Sequence, residues 1–241
     1  MRDIWEEQLK WVESGEPFVL ARVIHTWRSA PRKSGAGMLI GKGMRVAGSV
    51  SGGCIEGAVI EEALDALENG ESRRLSFGVE DELALSVGLS CGGEVSVLLE
   101  KHWAFSSDPN IQKVWNTLQN CIYNNNPAVL ISPLPFETGS STEEQDLLLI
   151  LPDGENVGVM QNNYEEAVAL AGEAYKEREN RIVELGGKEL FIQVFPRHDQ
   201  LLIIGAGHIT IPLVRFAKEL DFQTIVIDPR SVFAAPERFA V

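Results

Sequence analysis

Apolar residues Trp5, Leu9 and Val12 recur at i, i+4 and i+7, which predicts an amphipathic helix over residues 3–14. The β-branched apolar run PFVLARVIHTW follows as a strand, and SAPRKSGAG as a basic, glycine-rich turn. GMLIGKGMRVAGSV reads as two short strands around Gly41-Lys42-Gly43, a hairpin signal. In SGGCIEGAVIEEALDALENG, Ala58, Ile60, Leu64 and Leu67 fall near one helical face, while Glu61, Glu62, Asp65 and Glu68 line another. Gly70 stands where a C-terminal cap belongs. Residues 71–100 are strand-like around the insert GLSCGGE and end in the strand EVSVLLE.

Residues 108–196 repeat this mixed pattern without repeating its sequence. A helix is expected over 110–122, then strands in PAVLISPL, DLLLILPDG and NVGVM, a helix in NYEEAVALAGEAYKERE, and a closing strand in ELFIQVFP. PRHDQ punctuates the chain and places a domain boundary near 196–199. Beyond it, LLIIGAGHITIPLVRFAKELDFQTIVIDP reads as strand, glycine turn, helix and strand, one β-α-β unit that opens a parallel sheet. The expected fold is therefore α/β: a mixed-sheet N-terminal α/β domain over 1–197, then the start of a Rossmann-like parallel β-α-β domain over 198–241. A Rossmann sheet has more strands than this, so the second domain reads as truncated, or as docked against another surface.

Composition narrows the classes. The 241 residues are 44% hydrophobic and carry a formal net charge of −14, which argues against a nucleic-acid partner. Apolar runs such as LLIIGAG fall far short of the roughly 20 residues of a membrane span. The acidic N-terminus, MRDIWEEQLKWVESGE, has no apolar core of a signal peptide. Cys54, Cys91 and Cys121 make no disulfide framework and fit a reducing cytoplasm.

Four segments could carry chemistry. In GSVSGGCIEG, residues 48–57, glycines and serines precede a helix, so backbone N–H groups and hydroxyls can converge on an anion, and Cys54 at the first turn can be activated. The same residues also suit a tight turn with a small buried cysteine. VGLSCGGEVSV sets Cys91 before two glycines; the two thiols have poor zinc spacing and suit a softer metal. Arg28, Arg32 and Lys33 form a positive island in an acidic chain, fit for phosphate or carboxylate or simply solvated. GAGHIT has the first two glycines of a dinucleotide fingerprint with Thr210 at the third position, and Asp228 ends the next strand where a ribose-binding carboxylate belongs. His25 reads as a core histidine rather than a ligand, and Cys121 as a core cysteine on a helix face.

GSVSGGCIEGAV, GLSCGGEVSVLLE and LLIIGAGHITIPLVRFAKELDFQTIVIDPRSVFA, in that order, resemble the XdhC/CoxI family of xanthine dehydrogenase accessory proteins. The first two lie in the family's N-terminal module, roughly residues 10–100, and the third begins its Rossmann domain. The resemblance implies a cytoplasmic chaperone rather than a turnover enzyme. Such a protein binds molybdenum cofactor (molybdopterin) as cargo, assists its sulfuration and inserts it into an apo molybdenum hydroxylase such as xanthine dehydrogenase. A cysteine desulfurase and a second copy of the chain are the other implied partners. Carried over by motif, Cys54 and Cys91 become candidate molybdenum contacts or sulfur carriers. Ser49, Ser51, Gly52, Gly53 and Glu56 would surround the pterin phosphate, with Gly92 and Gly93 beside Cys91. Gly205, Gly207, His208 and Asp228 would take NAD(P) or another nucleotide. Two other classes stay open: an NAD(P)-dependent oxidoreductase built on GAGHIT and Asp228, and a thiol enzyme with Cys54 as nucleophile and His25 or Glu56 as base.

Overall fold

The computed structural model describes residues 1–28, 30–78, 93–135, 147–160, 162–220 and 222–239. Two units separate, Met1–Phe195 and Pro196–Val241.

The first unit begins with α1 (Trp5–Glu13), whose buried face runs through Trp5, Gln8 and Trp11. The expected stripe through Leu9 and Val12 is only half-buried. Gln8 turns inward because it finds a polar partner: its amide meets His102 Nε2 at 2.7 Å. Strands β1 (Phe18–Trp27), β2 (Gly37–Gly41), β3 (Arg45–Gly48), β4 (Arg73–Phe77) and β5 (Glu94–Lys101) form one sheet in the order β3-β2-β1-β5-β4. The predicted hairpin turns over Lys42–Met44, with Gly43 and Met44 both at positive φ. Helix α2 (Glu56–Asn69) ends on left-handed Gly70, as its sequence predicts, and lays Val59, Ala63 and Ala66 over Val19, Ala21, Val23, Val97 and Leu99 of the sheet.

His25 departs from expectation. The pairing of β1 with β5 shifts register between Val23 and His25, and the bulge leaves His25 exposed rather than in the core.

A second sheet takes β6 (Ala128–Pro133), β7 (Leu148–Ile150), β8 (Asn156–Gly158), β9 (Arg181–Leu185) and β10 (Lys188–Phe195) in the order β8-β7-β6-β10-β9. It is preceded by α3 (Pro109–Tyr123), capped by Asp108, whose carboxylate accepts from Asn110 N–H at 2.8 Å. Cys121 lies on the buried face of α3, as its sequence suggests. Helix α4 (Tyr164–Glu177) covers the outer face of this sheet with Ala167, Ala171 and Ala174. The described pairs of both sheets are antiparallel rather than mixed. In each sheet the first three strands in sequence are neighbours and so are the last two, the first and last strands pair at the centre, and the helix carries the chain from one edge to the other.

The two halves are the same motif, helix–three strands–helix–two strands, with the same strand order. The correspondence extends to single hydrogen bonds. Gly48 pairs with Met38 and Gly158 with Leu148; Ser49 N–H donates to Gly37 O at 3.2 Å, and Val159 N–H to Leu147 O at 3.0 Å. Both glycines sit at positive φ, where an added Cβ would lie 2.5 Å from Gly37 O or 2.0 Å from Leu147 O. The inner faces of the two sheets pack together, and corresponding residues meet. Arg22 and Ser132 hold matching places on β1 and β6, Glu100 and Gln193 on β5 and β10. Arg22 ion-pairs with Glu100 at 2.7 Å and donates to Ser132 and Gln193 at 3.0 Å each.

His102, wedged between Phe18 and Trp115 with ring centroids at 4.6 and 4.5 Å, has its pKa pushed down from 6.5 to about 3 by burial. The unfolded chain therefore takes up a proton that the folded one refuses as pH falls from about 6.5. Stability is complete above that pH and declines below it, by about 2 kcal/mol between pH 7 and pH 5. Urea unfolding at the two pH values reads this out, and His102→Gln is expected to abolish the difference. An undiminished pH dependence in the variant would assign it to other groups.

The second unit is a single β-α-β element: β11 (Gln200–Ile204), α5 (Thr210–Glu219) and β12 (Gln223–Ile227), the strands parallel and in register from Gln200↔Gln223 to Ile204↔Ile227. No helix among the described residues is long and apolar enough to cross a membrane.

Candidate functional site

Antiparallel pairing decides where the sequence motifs lie. Met38 pairs with Gly48 and Arg22 with Gly37, so β3 ends and β2 begins on the side towards which β1 runs. Trp27, the last residue of β1, pairs with Glu94, the first of β5, and Phe77 at the end of β4 pairs with Val95. The basic loop 28–36 and the loop 49–55 therefore leave the sheet at one end, where β4 also ends and β5 begins. Their contacts agree: a Cβ on Gly52 would lie 3.4 Å from Pro31 of the basic loop. Of the second motif, Cys91 and Gly92 lie outside the described residues, while Gly93 is buried beside Glu94.

Loop 49–55 is organised around a charge from its own sequence. One Glu56 carboxylate oxygen accepts from Ser49 Oγ at 2.6 Å, Ser51 N–H at 2.9 Å and Gly52 N–H at 3.1 Å. The other accepts from Ser51 Oγ at 2.5 Å and Gly53 N–H at 2.9 Å. Ser51 is buried, and its hydroxyl oxygen also accepts from Cys54 N–H at 3.0 Å and Ile55 N–H at 3.1 Å, closing the turn that leads into α2. Gly52 and Gly53 take φ of +84° and +121°, which turns successive N–H groups inward. Burial raises the Glu56 pKa, but the hydroxyl and backbone donors outweigh it and hold the carboxyl at about 2. The anion cradle read from the sequence is present, and Glu56 fills it. The signal was available: Glu56 is the first residue of a helix behind five turn residues, close enough to fold back on them.

Cys54, a free and half-buried thiol, rides on this braced turn. Around the same end, Arg32 ion-pairs with Asp3, and Arg28 sets its guanidinium 4.0 Å above the indole of Trp27. No group of three or more metal-ligating side chains occurs among the described residues.

The glycine turn of the second unit is likewise self-satisfied. Gly205 adopts φ +102°, and the Thr210 hydroxyl donates to Gly205 O at 2.7 Å, so the residue in the third fingerprint position ties the turn to the helix. His208 is exposed, and a Cβ on Gly207 would meet nothing within 4 Å. Asp228 accepts from Ala206 N–H at 2.8 Å and from Arg230 N–H, Nε and Nη2 at 2.9 Å each. The Arg230 guanidinium first, then these N–H groups, hold its carboxyl well below the usual carboxylate range. Arg238 reaches back to Ala206 O at 3.0 Å.

Comparison with known proteins places both motif regions. Residues 11–78 match the XdhC and CoxI family, and residues 201–241 match the XdhC Rossmann domain. Over 230 residues the chain is 24% identical to a probable xanthine dehydrogenase subunit of Bacillus subtilis, covering 95% of this chain and 64% of that protein. Over 88 residues it is 35% identical to the molybdenum cofactor insertion chaperone PaoD of Escherichia coli, covering 36% and 27%. The crystal structure of a xanthine dehydrogenase from Bacillus halodurans shares the fold, with a TM-score of 0.73 at 24% identity over 99% of this chain and 66% of that one. The chain thus spans about two thirds or less of each of these proteins.

Proposed function

We propose that this chain, which shares with the XdhC/CoxI family both an N-terminal region and the Rossmann domain, is an accessory protein that binds molybdenum cofactor and delivers it to an apo molybdenum hydroxylase. The observation that carries the reading is the meeting of loop 49–55, which bears Cys54, with the basic loop at one end of the first sheet. A soft thiol on a rigid turn is suited to holding molybdenum or a transferred sulfur. Likeness to a named insertion chaperone points the same way. Assistance with sulfuration, a cysteine desulfurase partner, a cytoplasmic setting and a homodimer belong to the same proposal.

The geometry changes how the cargo would be held. The hydroxyls of Ser49 and Ser51 and the N–H groups of Ser51, Gly52 and Gly53 already serve Glu56, so a phosphate could use them only by displacing that carboxylate. In our reading, loop 49–55 braces Cys54 for contact with the metal, and the cargo's negative charge turns to the basic loop; a part for Cys91, Gly92 and Gly93 stays a proposal from the motif alone. The oxidoreductase alternative draws less support, because the Asp228 carboxylate is engaged by Ala206 and Arg230. Nucleotide binding through Gly205, Gly207 and His208 stays a proposal.

Anaerobic titration with molybdenum cofactor released from a molybdenum enzyme tests the reading, with molybdenum content and pterin fluorescence after oxidation as readouts. Wild type should bind, Cys54→Ser should weaken binding at least about tenfold, roughly 1.4 kcal/mol, and Cys121→Ser should leave it unchanged. Absence of binding by wild type, or equal effects of the two substitutions, would remove the assignment.

A further inference from the structure

Trp27 stands at the head of the basic loop, beside the proposed site. Trp27 ends β1 with its indole 45% exposed, on a strand whose other apolar residues are buried. Its cross-strand partner Glu94 adjoins Gly93, so the indole stands where the second cysteine–glycine segment rejoins the sheet. Arg28 follows in left-handed backbone, φ +58°. Among the described residues, four other non-glycine residues share that conformation: Met44 closes the β2–β3 hairpin, Arg178 caps the C-terminus of α4, and Asn125 and Asn163 are of a type that tolerates it. Arg28 takes it at the bend that opens the basic loop, where its carbonyl accepts from Ala30 N–H at 3.1 Å. What the conformation achieves is placement: the guanidinium lies 4.0 Å from the centre of the Trp27 ring. No carboxylate among the described residues ion-pairs with Arg28. Lys33 lies on the same loop, which through Pro31 packs against Gly52, two residues before Cys54.

We propose that the Trp27–Arg28 pair is the recognition element for the cargo's heterocycle: the flat conjugated face of the pterin stacks on the exposed indole and guanidinium, and its anionic arm is met by Arg28 and Lys33. The inference rests on the chaperone reading above and deepens it. An aromatic face with an adjoining cation selects a flat ring that carries a negative group. That chemistry also supplies what loop 49–55 lacks, since the donors of that loop are spent on Glu56. No bond forms or breaks here; the pair positions the cargo and leaves the thiol to the metal.

The test uses the full chain and the same anaerobic titration with released molybdenum cofactor, run on Trp27→Ala, Trp27→Phe and Arg28→Gly. Arg28→Gly is chosen because glycine accepts the left-handed backbone, so the guanidinium is lost while the fold is kept. Trp27→Ala should weaken binding by about tenfold or more and Trp27→Phe by much less, in line with stacking. Arg28→Gly should unfold no earlier than wild type, yet bind several-fold more weakly and with a shallower dependence on salt. Quenching of indole emission by the cofactor should shrink in Trp27→Phe. Wild-type affinity in both Trp27→Ala and Arg28→Gly would overturn this inference and leave the chaperone reading standing. Failure of wild type itself to bind would overturn both.

Discussion

Glu100→Leu should lower the unfolding free energy by about 3–5 kcal/mol, because it strands a fully buried cation. Arg22 has no solvent exposure, and burial alone depresses its pKa; Glu100, the one carboxylate ion-paired with it among the described residues, opposes that. Glu100 is itself oriented by Trp103, whose indole N–H donates to it at 3.0 Å. Ser132 and Gln193 supply neutral oxygens at 3.0 Å, which cannot balance a full charge. The double variant Arg22→Met/Glu100→Leu should recover most of the loss, since Trp103 and Phe191 already wall the guanidinium with apolar rings 4.9 and 5.5 Å away. Urea unfolding of the three variants at pH 7 decides it. If the single substitution cost less than about 1 kcal/mol, the guanidinium would have to reach water, and the inter-sheet cluster would not be the closed junction described above.

Glu56→Ala is the second large expectation, and it bears on the site. The substitution removes the acceptor for two serine hydroxyls and the N–H groups of Val50, Ser51, Gly52 and Gly53. These donors are partly open to solvent, so water compensates in part, and the expected cost is about 2 kcal/mol rather than the sum of six charge-assisted bonds. Amide exchange at Ser51, Gly52 and Gly53 should accelerate by about 30-fold, the equivalent of that energy. Acid gives a matching signature. The folded pKa is depressed from 4.5 to about 2, so the contribution is complete above pH 4.5 and is lost as pH falls towards 2. Glu56→Gln should show no loss from this source. Unchanged exchange in Glu56→Ala would mean that the turn is held by Ser51 and α2 alone. If added phosphate protected the turn in Glu56→Ala and not in wild type, the vacated N–H groups would be an anion site that Glu56 occupies.

The Glu56 result shows where reading residues in order succeeds and where it stops. GSVSGGCIEG marks a turn whose N–H groups and hydroxyls can converge, from glycines that free the backbone and serines ahead of a helix, and in the structure they converge on Glu56. Which anion fills it depends on whether a carboxylate three to seven positions along can fold back, and that is a matter of φ at Gly52 and Gly53. Asp228 repeats the case: its position after β12 was legible, its capture by Arg230 was not. The missed duplication has a similar origin. Arg22 corresponds to Ser132 and Glu100 to Gln193, so the halves agree in strand order and hydrogen bonding while differing at the residues that meet. His25 was misplaced because a bulge reverses which face a strand residue points to, and nothing in FVLARVIHTW marks one.

By itself, then, the sequence determined the elements and the chemistry each could carry. Hydrophobic period distinguishes α2, α3 and α4 from the strands, glycine marks Gly43, Gly70 and Gly205 as turns and caps, and two cysteine–glycine segments with a late GAG turn identify a family resemblance. These are local properties, set by covalent geometry and by side chains a few positions apart. Tertiary structure alone decided that two separate loops leave one end of a sheet, that Arg22 and Glu100 neutralise each other between two matched halves, and that Trp27 stays exposed while Glu56 is consumed. Those outcomes depend on strand order and register, which join residues far apart in the chain and are selected by the packing of whole faces rather than by any residue's neighbours.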